Sequence, residues 1–184
     1  MSQPDNQNDP SQNNDSDTKP LGKGMYFVAW ILGLALMTSL FSGVIEQKIN
    51  PNQSPNARYV NGATEVVLKQ NSQGHYVTNG TINGKKVTFL LDTGATDVAV
   101  PAHIAAKVDM RRGRPIQVMT ANGITTAYQS WIATVGIDDL IIQDVDANIN
   151  PAMTDDFILL GMSALKQLEF TQRGDTLTLK SYGQ

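Results

Sequence analysis

Residues 88–101 read TFLLDTGATDVAVP. Thr88 to Leu91 are residues of the kind that build buried strands, and Asp92 ends their run. An ionised carboxylate in an apolar setting is costly unless charges or hydrogen bonds compensate it. The next two residues offer that compensation. Thr93 brings a hydroxyl, and Gly94 permits a tight turn that presents an N–H close to the carboxylate. An Asx turn between two strands would use the same residues only to close the backbone. The apolar runs on both sides, the second ending at Pro101, favour a carboxylate held at a fixed angle for use. Asp92 is therefore the candidate catalytic residue, with Thr93, Gly94 and Ala95 as its loop.

The surrounding sequence is rich in strands. From Arg58 onward, short apolar runs alternate with Gly and Asn turns: EVVLKQ and HYVTNGTI flank NSQG, and PIQVMT, TTAYQSWIATVGI, LIIQDVDANI, FILL and TLTLK follow. Two stretches read as helices, PAHIAAKV from Pro101 and MSALKQL after Gly161. Runs of this length and spacing predict a closed or sandwiched β-domain over 58–184.

The N-terminal part is different. Residues 1–24 are nearly all Asn, Gln, Asp, Ser and Pro and read as a disordered polar tail. Met25 to Val44 carries no charge, and a helix of that length spans roughly 30 Å, the thickness of a bilayer core. The stretch exceeds a signal-peptide core and is expected to be a single transmembrane helix, residues 25–44. Residues 45–57 read as a linker. Lys19 and Lys23 precede the span, while Lys48 and Arg58 follow it, which gives a slight edge to a cytoplasmic N-terminus.

Composition narrows the chemistry. The net charge is −3, so there is no basic footprint for nucleic acid. The absence of cysteine excludes thiol nucleophiles and thiolate metal sites, and two histidines are too few for a His-rich zinc site. No phosphate loop and no metal-ligand spacing occurs, so no cofactor and no metal is expected. Ser163 lacks the second glycine of a nucleophile elbow and reads as a helix-start residue. His103 reads as a surface helix residue. RRGRP, from Arg111 to Pro115, could meet lipid head groups or an acidic substrate but reads as a solvated loop, and RGD, from Arg173 to Asp175, reads as a three-letter coincidence.

The loop FLLDTGATDVAVP resembles the active-site loop of retropepsin-like aspartic proteases. Two further stretches agree in order and spacing: MTANGITTAY, with Ala121, Asn122 and Gly123 where that family has its flap, and ILLGMSALKQLEF, similar to the glycine-containing segment and helix behind the active site. The resemblance covers about residues 73–180 and is strongest to a membrane-anchored bacterial branch. It implies an all-β, acid-protease half-barrel with one or two short helices, catalysing peptide hydrolysis at Asp92 under a flap tipped by residues 121–123. Viral members often carry a charge after the glycine of the C-terminal motif. Here the residue is Met162, so an intersubunit ion pair at that position is not implied.

The family's chemistry needs two carboxylates around one water, and the sequence has a single Asp-Thr-Gly. Asp175-Thr176 is followed by Leu177, and Asp138, Asp139, Asp155 and Asp156 lie in polar, turn-like settings. The expected dyad is Asp92 from each of two identical chains, in a symmetric homodimer. The reading is thus an inner-membrane, single-pass aspartic endopeptidase acting on peptide or protein substrates, with its catalytic domain in the periplasm. The alternative is a peptide-binding module or dimeric scaffold on the same fold, without turnover.

Overall fold

The computed structural model describes residues 21–120 and 123–182. The chain divides into two units, Met1–Phe41 and Ser42–Gln184. Most of the expected polar tail, residues 1–20, lies outside the described residues. Leu21–Gly24, assigned to that tail from the sequence, instead open the helix α1 (Leu21–Ile49). The helix also runs on past Val44 into the expected linker. It stops before Asn50 because Pro51 disfavours the helical conformation in the residue preceding it. Between Met25 and Ile49 its large apolar side chains are exposed all round, Phe27 at 72% and Trp30 at 69% among them. By length and composition it can cross a membrane.

The second unit is built of strands. In order they are β1 (Ala57–Val60), β2 (Ala63–Lys69), β3 (Tyr76–Ile82), β4 (Lys85–Leu91) and β5 (Val98–Pro101). After the short helix α2 (Ala102–Lys107) come β6 (Pro115–Thr120), β7 (Gly123–Ile137), β8 (Leu140–Asn150) and β9 (Ile158–Leu160). Helix α3 (Met162–Leu165), β10 (Glu169–Arg173) and β11 (Thr176–Tyr182) complete the domain. The strand runs read from the sequence all appear, and α3 is shorter than MSALKQL predicts. β1 and β10 were not anticipated. Every residue of β10 is exposed, so it has no burial alternation to betray it, and only its pairing with β11 makes it a strand.

Two sheets result. A four-stranded antiparallel sheet runs β1-β2-β11-β10, and a seven-stranded mixed sheet runs β3-β4-β9-β5-β8-β7-β6. The larger sheet closes on itself, because β3 also pairs with β7 through Thr81↔Gly136 and Ile82↔Val135. Closure forces two backbones together: a Cβ on Gly80 would sit 2.3 Å from the Gly136 carbonyl oxygen and 2.7 Å from the Phe89 ring. Glycine is the residue that permits this approach. Inside the closed sheet, Phe89, Ile82, Ile132, Ile158 and Leu160 are fully buried and share one core with Val66 and Leu179 of the smaller sheet.

The segment after α1 is part of this domain. Asn52 is 8% exposed. Its amide nitrogen donates to the carbonyls of Lys69 (2.9 Å) and Val77 (2.7 Å), and its Oδ1 accepts from the Lys69 N–H (2.8 Å). Asn50 Oδ1 takes the Asn52 N–H, and Asn50 Nδ2 donates to Asn79. One asparagine thus stands in for a strand partner between β2 and β3. Asn52→Ala leaves three backbone groups, the Val77 carbonyl buried among them, without partners, and a loss of about 1–3 kcal/mol is expected by urea unfolding.

Candidate active site

Asp92 follows directly on β4, whose last residues run parallel to β9 with Leu91 beside Leu160. The Asp92 N–H donates to the Leu160 carbonyl (3.1 Å), so the ladder carries through to the carboxylate's own backbone. The chain then turns. Gly94 N–H donates to Asp92 Oδ1 at 2.9 Å, and Ala95 N–H to the Asp92 carbonyl at 3.2 Å. These bonds fix the side-chain angle, as the Asp-Thr-Gly spacing predicts. The Thr93 hydroxyl is exposed and bonds to nothing in its own chain among the described residues.

Residues 161–163 hold the far side of the loop. Met162 N–H donates to the Ala95 carbonyl and Ser163 N–H to the Thr96 carbonyl, both at 2.8 Å. The Ser163 hydroxyl accepts from the Val98 N–H (3.0 Å) and donates to the Asp146 carbonyl (2.7 Å). Ser163 is buried, and its hydroxyl both accepts and donates within the loop's support. Gly161 has to be glycine, since a Cβ there would lie 2.3 Å from the Asp97 carbonyl oxygen and 2.7 Å from that of Ala95. Met162 packs against the core.

Asp92 opens into a cleft of about 720 Å³. Its walls include Gly94, Ala95, Asp97 and Ala99 from the loop and β5, Asn148 and Asn150 from β8, and Phe157 and Leu159 around β9. The remaining wall is β6, from Ile116 to Thr120. With β7 it forms a hairpin in register Thr120↔Gly123 and Met119↔Ile124. Near its tip Met119 is 85% and Ile124 71% exposed. Gly123 has φ +104°, and its carbonyl accepts from the Thr120 hydroxyl (2.8 Å). Ala121 and Asn122, the other expected tip residues, lie outside the described residues.

Sequence reading passed over two residues of this cleft, Asp97 and Asn148. Asp97 is half-buried, and its carboxyl is raised above the ordinary range, first by desolvation, then by the nearby Asp146 charge, with Lys166 opposing. Of the aspartates read as solvated, Asp155 lines the cleft and Asp138 accepts the Ala57 N–H at 2.8 Å. Asp156 lies 3.2 Å from His103 Nε2 on α2. In the basic cluster, Arg112 stacks on Tyr128 and Arg114 donates to Gln129, so both brace β7. Among the described residues, no group of three or more acidic or histidine side chains is placed to hold a metal ion.

Two outcomes are expected from this geometry. Gly161→Ala forces the Asp92 loop off its support and costs about 2–3 kcal/mol in chemical unfolding. Asp97 has a folded-state pKa above its unfolded one, so the fold is favoured as pH falls through that window and loses the benefit as pH rises above it. Asp97→Asn should therefore raise the thermal midpoint at pH 7, with the gain vanishing near pH 3. An equal gain at both pH values would contradict the assignment.

Comparison with known proteins bears on both fold and site. A family model described as "gag-polyprotein putative aspartyl protease" matches residues 78–167. A Sinorhizobium protein named "Uncharacterized protein in cobV 5'region" is 34% identical over 123 residues, covering 65% of this chain and 53% of its own length. "Uncharacterized protein RP867" of Rickettsia prowazekii is 26% identical over 134 residues, covering 70% and 56%. The chain thus spans about half the length of the curated relatives it matches. The crystal structure of a retropepsin-like aspartic protease from Rickettsia conorii superposes with a TM-score of 0.55 at 25% identity, covering 70% of this chain and 96% of that one. The Asp-Thr-Gly loop, the closed sheet and these matches agree, and the globular domain has the retropepsin-like fold.

Proposed function

We propose that the protein is a homodimeric aspartic endopeptidase, anchored in a membrane by α1, which hydrolyses peptide bonds with a water held between the Asp92 carboxylates of two chains. The observation that carries this reading is the anchoring of Asp92. A carboxylate tied by the Gly94 N–H, on a loop stapled at two backbone amides and facing a cleft of about 720 Å³, is built for chemistry. A structural Asx turn needs neither the cleft nor the staple.

In the proposed mechanism two carboxylates a few ångströms apart share one proton. The ionised member takes a proton from water as it attacks the scissile carbonyl. The protonated member hydrogen-bonds that carbonyl and then supplies the proton to the leaving amine. The free Thr93 hydroxyl is available to brace the partner loop across the two-fold axis. Gly94 and Ala95 leave room for substrate backbone beside the dyad. β6 is the end strand of its sheet, and an extended peptide lying along the cleft can pair with the hairpin, closed over by residues 121–123.

The apolar, solvent-facing surface of α1 supports anchoring in the membrane. With the N-terminus cytoplasmic, as the flanking lysines favour, the anchor is a single pass of the inner membrane and the domain faces the periplasm. Holding chains in a bilayer raises their local concentration and favours the dimer that the dyad requires.

The test is cleavage of a peptide library by the full chain in detergent from pH 3 to 7, beside Asp92→Asn. Activity is expected to be strongest at acidic pH, where the dyad holds its single proton, and to fall on the order of a thousandfold in the variant. Specific activity should also drop on dilution below the dimer's dissociation range. Activity that survives Asp92→Asn, or is independent of concentration, would overturn the dyad.

A further inference from the structure

Asn148 is the feature of the cleft that the proposed chemistry leaves unused. In β8, Ala147 and Ile149 belong to the core, so alternation turns Asn148 and Asn150 to the opposite face, where the cleft lies. Both are nearly inaccessible, Asn148 at 5% and Asn150 at 3%. Their situations differ. Asn150 has a local task, since its Oδ1 accepts the Ala152 N–H at 3.0 Å. Asn148 Oδ1 is buried and has no hydrogen-bond partner. The other buried side-chain atom in that condition among the described residues, the Tyr76 hydroxyl oxygen, belongs to a core residue that does not line the cleft.

A buried carbonyl oxygen without a donor weakens the fold, and a leucine of the same size would avoid that cost. A partner supplied from outside would satisfy it. In register, Asn148 lies between Ala99 and Gln129, and Ala99 lies beside Leu159, so one side of the carboxamide is apolar and the other polar.

We propose that Asn148 floors a polar subsite of the cleft that selects substrates with a carboxamide side chain, Asn or Gln, at one position near the scissile bond. A carboxamide donates through its NH₂ to Asn148 Oδ1 and offers an oxygen in return, matching both ends of the floor. A lysine or arginine would bring a donor too. A cation offers no acceptor to the Asn148 NH₂, so it answers only one end of the carboxamide. The inference rests on the reading that this cleft binds extended peptide, and its test separates the two.

The full chain in detergent is profiled on a peptide library scanned position by position, beside Asn148→Leu. Wild type should prefer Asn or Gln over Leu about tenfold at one position. Asn148→Leu should reverse that preference and melt no lower than wild type. Indifference in the wild-type profile overturns the subsite, as does a preference for Lys or Arg or a profile that Asn148→Leu leaves unchanged. A variant that melts lower and loses all substrates alike assigns Asn148 a structural role and also overturns it. If Asn148→Leu does not fold, the wild-type profile alone decides by the same criterion. If wild type cuts nothing, the peptidase reading fails. The subsite is then judged by capture of the same immobilised peptides, where a tenfold preference for Asn or Gln supports it and indifference overturns it.

Discussion

The domain depends on one junction, the pair of backbone hydrogen bonds from Met162 and Ser163 to the carbonyls of Ala95 and Thr96. The Asp92 loop leaves the end of β4 and must reach β5, with β9 lying between the two strands. A polar loop there needs fixed donors for its carbonyls if it is to keep one angle. The segment after β9 meets this need by running beneath the loop, and Gly161 allows the backbones to come that close. The Ser163 hydroxyl extends the contact to β8. Loop angle, closure of the sheet and position of the cleft therefore rise or fall together.

This explains which parts were legible in the sequence. Asp92, Thr93 and Gly94 are contiguous, and a turn that fixes a carboxylate is a local property, so the pattern carries the geometry. The strands of the closed sheet were legible as well, because their apolar runs are long compared with the turns. Ser163 was not, since its value lies in Val98 and Asp146, each distant in sequence and brought together by the pairing of β5 with both β8 and β9. Asn148 was hidden for a related reason. LIIQDVDANIN is buried on both faces toward its end, and nothing in the run tells which face meets core and which meets cleft. The stretch around Asn50 and Asn52 misled in the other direction: its amides and prolines have the composition of a spacer, but two of those amides are buried as backbone mimics.

The two units differ in where their apolar residues lie. α1 is apolar on every side and has no face to bury against a core. The strand domain buries its apolar residues in the ordinary way and exposes polar ones. A chain of this design has its hydrophobic demands met twice, once by packing and once by the surroundings of the helix.

The asparagine clamp also bears on where the chain can be cut between α1 and the strands. Pro51 and Asn52 are held against β2 and β3, whereas Ser54 and Asn56 are exposed. A peptidase needs several residues in extended, accessible form, and the clamp denies them on its own stretch. A cut just after it would separate Asn52 from the domain it completes, releasing a body with unpaired carbonyls between two strands. A cut that leaves Asn52 on the α1 side is therefore costly in stability, whereas one before Asn50 keeps the clamp with the strands.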